Sequence, residues 1–510
     1  MYQDRHASVS PPGRPKAKRA SSGLMPAAPS LPVQGGTGRR AVASGIGMSR
    51  EPHEMGDRGG PIPVSHASAK PWHIDTPWRV GLLGLGTVGA GTYRVLQRNA
   101  EVIAARTGRR IEIVMVAVRN LARATGLVDD DVEVVDDPFL VVNHPDIDVV
   151  VEVIGGTTLA RELVLQAIAN GKHVVTANKA LLAVHGSEIF AAAQAQGVAV
   201  AYEGAVAVSV PIIKALREGL TANRIEWLAG IINGTTNYIL SEMRDKGVSF
   251  AAALAEAQRL GFAEADPTLD VEGIDAAHKL TLLAANAFGV PIQFDKVHTE
   301  GITQLDAVDI GFAERLGYRV KLLGIAKRSE LGLELRVHPT LIAADHLLAK
   351  VDGSMNAVMV KSDAAGVTLY YGAGAGSEPT ASAVIADLVD LSRASRTVHP
   401  HRVPALAFQH TAVVALPLAA ITEVTTGYYV RLDLAEVAQT WLDVLDCFAD
   451  AGVHVNQLKT FDQPDKCGLT TVLALTEPIK EQVMRDVTAK LAQLPSVTGA
   501  IKTIRVEALN

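Results

Sequence analysis

Over residues 1 to about 75 hydrophobic and polar positions alternate without period, and from Trp78 they fall abruptly into order. The run WRVGLLGLGTVGAGTYRVL reads as a short apolar strand, a turn at Gly84, Gly86 and Gly89, and a helical stretch. IEIVMVAVRN (111–120), DIDVVVEVIGG (146–156) and KHVVTANK (172–179) supply further β-rich runs, each followed by helical sequence. Strands alternating with helices imply a parallel, doubly wound α/β sheet. Beyond it RIEWLAGII, RVKLLGIAKR and LELRVHPTLI surround helices, and periodicity there says only α+β. The last ninety or so residues order themselves β, α, β, β, α, β, through GYYVRLDL, HVNQLKTF, GLTTVLALT and AIKTIRVEAL, an arrangement that is ferredoxin-like.

One stretch carries an unusual charge pattern. AALAEAQRL has helical period and ends at Gly261, and GFAEADPTLDVEGIDAAHKL (261–280) then gathers five carboxylates around one proline. Asp266 precedes Pro267, which disfavours helix at that position. A second helix is expected after Gly273, with Ala277, Leu280, Leu283 and Ala284 on its apolar side. Asp275 and Lys279 stand four apart on one face of it. Such a pair is usually a surface ion pair contributing about 0.3–0.5 kcal/mol. Its company argues otherwise, because Glu264, Asp266 and Asp270 converge on the preceding loop. Clustered carboxylates repel unless a cation lies among them. That cation is a metal, a basic side chain or the ammonium group of an amino-acid substrate; the absence of a His/Cys set or of EF-hand spacing disfavours the metal.

Composition narrows the classes. The chain has 510 residues, 48% hydrophobic and 20% charged, with a formal net charge of −6. Length suggests roughly three domains of about 150 residues, and the charge leaves no nucleic-acid footprint. The most apolar run, Ala412 to Ile421, is far short of the roughly 20 residues of a membrane span, so no membrane anchor is expected. Two cysteines, Cys447 and Cys467, fit structural thiols in a reducing, cytoplasmic setting. The first 50 residues hold eight Lys/Arg against one acid, Asp4, and are rich in Pro, Gly, Ser and Ala. Residues 1–76 are therefore read as a disordered extension. An organelle transit peptide, against which the prolines argue, and translation from Met48 or Met55 are the alternatives.

The glycine run is G-x-G-x-x-G between a strand and a helix, the setting in which backbone approaches a pyrophosphate at a helix N-terminus. Gly84, Gly86, Thr87, Val88 and Gly89 form the candidate cofactor loop. The second strand ends in Val118-Arg119-Asn120, without the acid that an NAD-specific domain offers to the ribose. Arg119, with Arg123, suits a 2′-phosphate, so NADP is favoured over NAD; a solvated loop arginine is the plain alternative. Lys179 follows a strand, at the edge where open α/β sheets bind ligands. Hydride transfer to a carbonyl leaves an alkoxide that must take a proton, and Lys279 is the candidate acid.

These motifs together resemble the homoserine dehydrogenases, in the monofunctional form that carries a C-terminal ACT domain. The resemblance runs from about residue 77 to the C-terminus. It rests on Ala257, Gly261, Phe262, Ala263, Asp266, Pro267, Asp270, Gly273, Asp275 and Lys279, with IINGTTNYIL (231–240), VVTANKALL (174–182) and GAGAGSEPTASAV (372–384). It implies a Rossmann domain at 77–205, a substrate-binding and dimerisation domain at 206–420 whose later segment returns to the Rossmann domain, and an ACT domain at 421–510. It further implies NAD(P)-dependent interconversion of L-aspartate 4-semialdehyde and L-homoserine, with Lys279 and Lys179 catalytic. Glu264, Asp275 and Asp270 would hold the amino-acid substrate; Lys179, Gly261, Glu264 and Gly376 would join the glycine loop and Arg119 at the cofactor. A sodium ion on the carbonyls of Glu203, Val206, Val208 and Val210, a homodimer or homotetramer, and threonine as a feedback effector complete the implications.

Two departures bear on these. Ala207-Val208-Ser209-Val210-Pro211 stands where the family commonly has A-G-G-I-P, and the lost glycines restrict the backbone at the ion site. Ala435-Glu436 stands where the ACT module usually has Pro-Gly, so a structural or oligomerising role competes with effector binding. Two other readings remain open on the residues alone: another amino-acid dehydrogenase with a related Rossmann domain, and a non-catalytic sensor. A substrate panel separates the first, and calorimetry with threonine the second.

Overall fold

The computed structural model describes residues 76–124, 126–394, 403–435, 437–462 and 469–509. The expected disordered extension, apart from Thr76, lies outside the described residues, as do Glu436, Cys467 and the side chain of Arg123. Cys447 is half-buried and free.

Six strands, β1 (Trp78–Leu83), β2 (Ile111–Ala117), β3 (Glu133–Val135), β4 (Val149–Glu152), β5 (His173–Thr176) and β6 (Val200–Ala201), form one sheet in the order β3-β2-β1-β4-β5-β6. Every pairing is parallel. Helices α1 (Thr87–Arg98), α2 (Ala100–Thr107), α3 (Pro138–Asn143), α4 (Thr158–Ala169) and α5 (Lys179–Gln196) make the crossovers. Because helices cover both faces, the strands read as continuous apolar runs rather than alternating ones. Val149, Val150 and Val151 are all fully buried, each such side chain contributing about 1.5–3 kcal/mol. The strand order reverses between β1 and β4, and their C-terminal ends, with that of β5, open onto one crevice: Leu83 pairs Glu152, and Glu152 pairs Thr176.

The chain continues through α6 (Ile212–Lys214), β7 (Ile225–Ile231), α7 (Gly234–Lys246), α8 (Phe250–Arg259), α9 (Thr268–Val271) and α10 (Ile274–Phe288). Then follow β8 (His298–Thr299), α11 (Ala307–Arg315), β9 (Tyr318–Ser329), β10 (Gly332–Ala343), β11 (Met355–Ser362), β12 (Gly366–Ala373) and α12 (Ser377–Ala394). The helix α12 returns to the first sheet: Ala381, Val384 and Leu388 share a core with Trp78, Val80 and Leu82. The last stretch is β13 (Thr425–Ala435), α13 (Val437–Asp450), β14 (Val455–Asp462), β15 (Leu469–Thr476), β16 (Ile479–Lys480), α14 (Glu481–Leu491) and β17 (Val497–Val506).

Two features depart from the sequence reading. The ferredoxin-like unit, with strands ordered β17-β13-β15-β14, does not stand apart. Its last strand pairs in parallel with β10, at Thr340 with Arg505 and Leu341 with Val506, so one sheet runs β12-β11-β7-β9-β10-β17-β13-β15-β14. The second is α10, expected to show one apolar side. Every residue from Asp275 to Phe288 is buried, because α5, β9 and β10 all pack against the helix. Its polar residues are therefore inside the protein.

Candidate active site

The glycine loop joins β1 to α1. Gly84 has φ +99°, and a Cβ on Gly89 would lie 2.0 Å from the Gly84 carbonyl oxygen, so only glycine fits at 89. Gly86 caps α1 without a side chain, and the first turn, with Thr87 and Val88, holds no acid. The unpaired N–H groups and the positive end of the helix dipole are thus left for an anion. Ser377, next to Gly376 at the start of α12, donates from Oγ to the Thr87 carbonyl at 2.6 Å. The returning segment accordingly meets the loop. Arg119 is exposed just past the end of β2.

At the ends of β4 and β5 lies a buried network that the sequence reading did not single out. Glu152 accepts from Thr176 Oγ1 at 2.6 Å and from the N–H groups of Ile154 and Gly155 at 3.0 and 3.2 Å. Burial pushes its carboxyl up, with those donors pulling back. Asn178 donates to the Gly156 carbonyl at 2.7 Å and caps α5 by accepting from Leu181 N–H at 3.1 Å. Lys179 is the first residue of that helix. Its position is therefore set by a cap and by the strand ends together. The local signal for Asn178 lies in VVTANK, where Asn precedes a helix by the usual capping rule.

The second half of the site is built on α10 and the turn before it. Helix α8 ends in a Schellman arrangement, Phe262 N–H to Ala257 O at 2.8 Å and Gly261 N–H to Gln258 O at 3.1 Å. Thr235, in the first turn of α7, then donates to the Phe262 carbonyl at 2.7 Å. Gly273 enters α10 at φ +80°, with Thr299 and Val337 side chains 3.2 Å from where a Cβ would be. Asp275 and Lys279 are 5% and 7% exposed, and Lys279 Nζ donates to Asp275 Oδ2 at 2.6 Å and to the Ile232 carbonyl at 2.8 Å. The surface-pair reading is thereby excluded. Lys179 Nζ lies 3.1 Å from Asp275 Oδ1, so one carboxylate is shared by a lysine from each side of the crevice.

Asn233 completes the arrangement. Its amide donates to Asp275 Oδ2 and Asp270 Oδ1, both at 2.7 Å, while its own oxygen caps α7 by accepting from Thr236 N–H at 2.8 Å. Within IINGTTNYIL the local signal for Asn233 is a capping one, Asn before Gly-Thr-Thr, and nothing local marks its contact with the two acids. Asp266 is a correction. It is exposed and folds back on Thr268, accepting from its N–H at 3.1 Å and its hydroxyl at 2.6 Å, so it builds the turn into α9 and does not join the cluster. Glu264 is exposed, its backbone carbonyl held by Gln258 Nε2 at 3.0 Å, and its charge reaches Lys179.

The electrostatics divide the two lysines. Burial lowers Lys279, against the pull of Asp275, and the neighbouring Lys179 charge lowers it further. Lys179 is raised, chiefly by Asp275, with Asp270 and Glu264 adding to it against burial. Burial would push Asp275 up, but the two ammonium groups and Asn233 hold it well below the usual carboxylate range. Asp270 is raised by burial and by the Asp275 charge. The two amines that share Asp275 are thus shifted in opposite directions, the buried Lys279 down and Lys179 up.

Around the expected ion site, the Glu203 and Val210 carbonyls accept from Val206 and Ile212 N–H at 3.3 and 2.7 Å. The positive φ in this turn falls on Ala207, at +52°, and not on Val208 or Ser209. Replacing the glycines of the family pattern therefore imposes no left-handed strain at those two positions. The Glu203 carboxylate accepts from Ile213 and Lys214 N–H at 3.0 and 2.9 Å. A cavity of about 850 Å³, lined by Phe190, Arg217, Leu391 and Leu406 among others, reaches neither Asp275 nor Lys279.

Comparison with known proteins adds two family models. The homoserine dehydrogenase model matches residues 211–389, and that of the homoserine dehydrogenase NAD binding domain matches residues 84–203. A homoserine dehydrogenase of Pseudomonas aeruginosa is 55% identical over 436 residues, covering 85% of this chain and 100% of that protein. One of Neisseria gonorrhoeae is 50% identical, covering 85% of this chain and 99% of the relative. The crystal structure of a homoserine dehydrogenase from Thiobacillus denitrificans is 57% identical, with a TM-score of 0.81, covering 85% of this chain and 99% of that one. Among the described residues no helix is long and apolar enough to cross a membrane.

Proposed function

The chain belongs to the homoserine dehydrogenase family, NAD(P)-dependent oxidoreductases that interconvert L-homoserine and L-aspartate 4-semialdehyde, and we propose that Lys279 exchanges the proton of that reaction while Asp275 holds it in place. The observation that carries this is the buried carboxylate of Asp275 shared by Lys279 and Lys179. When bound, the nicotinamide supplies or accepts the hydride. In the direction of reduction Lys279 delivers a proton to the carbonyl oxygen, and in the reverse direction it takes one from the hydroxyl. Its lowered pKa brings it toward the range where both steps run near neutral pH. Lys179, held charged, offsets negative charge growing on that oxygen.

Asp275 is better suited to hold the lysines than a substrate ammonium, since both of its oxygens are already engaged. The ammonium group of the amino acid falls instead to Glu264, which is exposed, and to Asp270, which gives one oxygen to Asn233. The residues at 84–89 fit a pyrophosphate, on the evidence of an uncapped helix start and a turn that excludes any Cβ at 89. Gly261, Glu264 and Gly376 would line the same crevice. Arg119, exposed at the end of β2, supports NADP over NAD.

Threonine as effector rests on the ferredoxin-like unit, and a homodimer through the middle sheet on the family resemblance. The four carbonyls at Glu203, Val206, Val208 and Val210 are neutral oxygen donors of the kind sodium takes, although two of them already accept backbone hydrogen bonds. The test is oxidation of NADPH and NADH by the purified chain with aspartate 4-semialdehyde, with and without threonine. Lys279→Met should lower kcat by about 10²- to 10⁴-fold with cofactor affinity unchanged. Turnover within tenfold of the parent would remove Lys279 from its role.

A further inference from the structure

We infer that Arg505 and Glu300 are positioning residues for the reaction, through which the last strand of the chain braces the turn that carries Asp270 and Asp275. The inference rests on the reading of those two carboxylates given above.

Arg505, on β17, is buried, and its guanidinium grips Glu300 with Nη1 to Oε2 at 2.7 Å and Nη2 to Oε1 at 2.9 Å. It also holds Glu481 of α14 through Nε to Oε2 at 2.8 Å and Nη2 to Oε1 at 2.9 Å. Two bidentate pairs fix both position and angle of the fork. His298 adds a contact to Glu300 Oε1 at 2.8 Å, and Glu300 N–H donates to the Val337 carbonyl on β10 at 2.8 Å. Glu300 is therefore clamped on its side chain and its backbone.

The three residues after it are pressed against the site. A Cβ on Gly301 would lie 2.3 Å from the Val271 carbonyl oxygen and 2.6 Å from the Glu272 Cα. Ile302 N–H donates to the Val271 carbonyl at 2.8 Å, and Thr303 Oγ1 to Glu272 Oε1 at 3.1 Å. Residues 271 to 274 link Asp270, at the end of α9, to Asp275, at the start of α10. The separation of the two acids is thus set by a wall whose own position depends on Arg505, 205 residues from Glu300 along the chain.

A second buried pair at the same joint provides a matched control. Arg431, on β13, donates to Asp309 of α11 at 2.6 and 3.1 Å. It ties the same two parts of the molecule together without touching residues 270 to 275. If the clamps were merely structural, Arg505→Lys and Arg431→Lys would behave alike.

The experiment measures steady-state kinetics and thermal unfolding of Arg505→Lys, Glu300→Gln and Arg431→Lys in the full chain. Arg505→Lys is expected to lower kcat/KM for aspartate 4-semialdehyde by about tenfold or more, since small misplacement of reacting groups is costly, with the KM for NADPH unchanged. Arg431→Lys should lower the unfolding temperature and leave the kinetics as they are. Should Arg505→Lys fail to fold, Glu300→Gln decides the matter by the same kinetic split, since it removes the charge and keeps the shape. Kinetics of Arg505→Lys and Glu300→Gln no different from those of Arg431→Lys overturn the inference, while Lys279→Met tests the underlying site separately.

Discussion

Asp275→Asn isolates the charge on which the site depends. The substitution keeps the shape and a hydrogen-bond acceptor, so packing around α10 is preserved. What it removes is the negative partner of two ammonium groups, one buried at both ends, with side chains 9% and 7% exposed, and one whose lysine is 41% exposed. Removing one member of a buried pair costs about 3–5 kcal/mol, and the half-exposed Lys179 contact adds no more than about 1 kcal/mol. Retention of the acceptor moderates the loss, so a destabilisation of about 3 kcal/mol in urea unfolding at pH 7.5 is expected. The parent should also lose stability as pH falls below 3.8, because the folded Asp275 holds its charge to lower pH than the unfolded chain does. That acid-side contribution should vanish in the variant. Lys279, already lowered by burial, loses the partner that was raising it. Less of it carries a proton at neutral pH, and the alkaline limb of the reduction profile should move to lower pH as kcat falls. A variant with the parent's acid stability profile, an unmoved limb and kcat/KM within threefold would refute the assignment of Asp275 as the holder of the lysine.

Two further outcomes follow from the same geometry. Arg119→Glu should cut kcat/KM with NADPH by about tenfold or more relative to NADH, from charge repulsion with a 2′-phosphate; an unchanged ratio in paired cofactor assays would make Arg119 a solvated loop residue. Asp266→Ala removes only an exposed turn contact, so urea unfolding should shift by about 1 kcal/mol or less and the kinetics should stay as they are, whereas a large kinetic loss would return Asp266 to the cluster.

The sequence by itself determined the elements and most of the chemistry. The glycine loop, the strand runs at 78–83, 111–117, 149–152 and 173–176, and the βαββαβ order at the end were readable because strand period, turn residues and helix caps are properties of short windows. The pairing of Asp275 with Lys279 was readable for the same reason, as residues four apart on a helix are neighbours wherever the helix lies. Tertiary structure alone decided what that pair means. Whether α10 is a surface helix or a buried one depends on α5, β9 and β10 arriving from elsewhere in the chain, and their arrival turns a pair of small worth into a pair that cannot be separated cheaply. The same holds for Lys179, which meets Asp275 across 96 positions of sequence, for Asn233, which joins two acids of a different segment, and for Arg505 on Glu300. Such contacts leave no local pattern, since they are set by how the sheets join and which helices they bury, and a one-dimensional period carries no record of that.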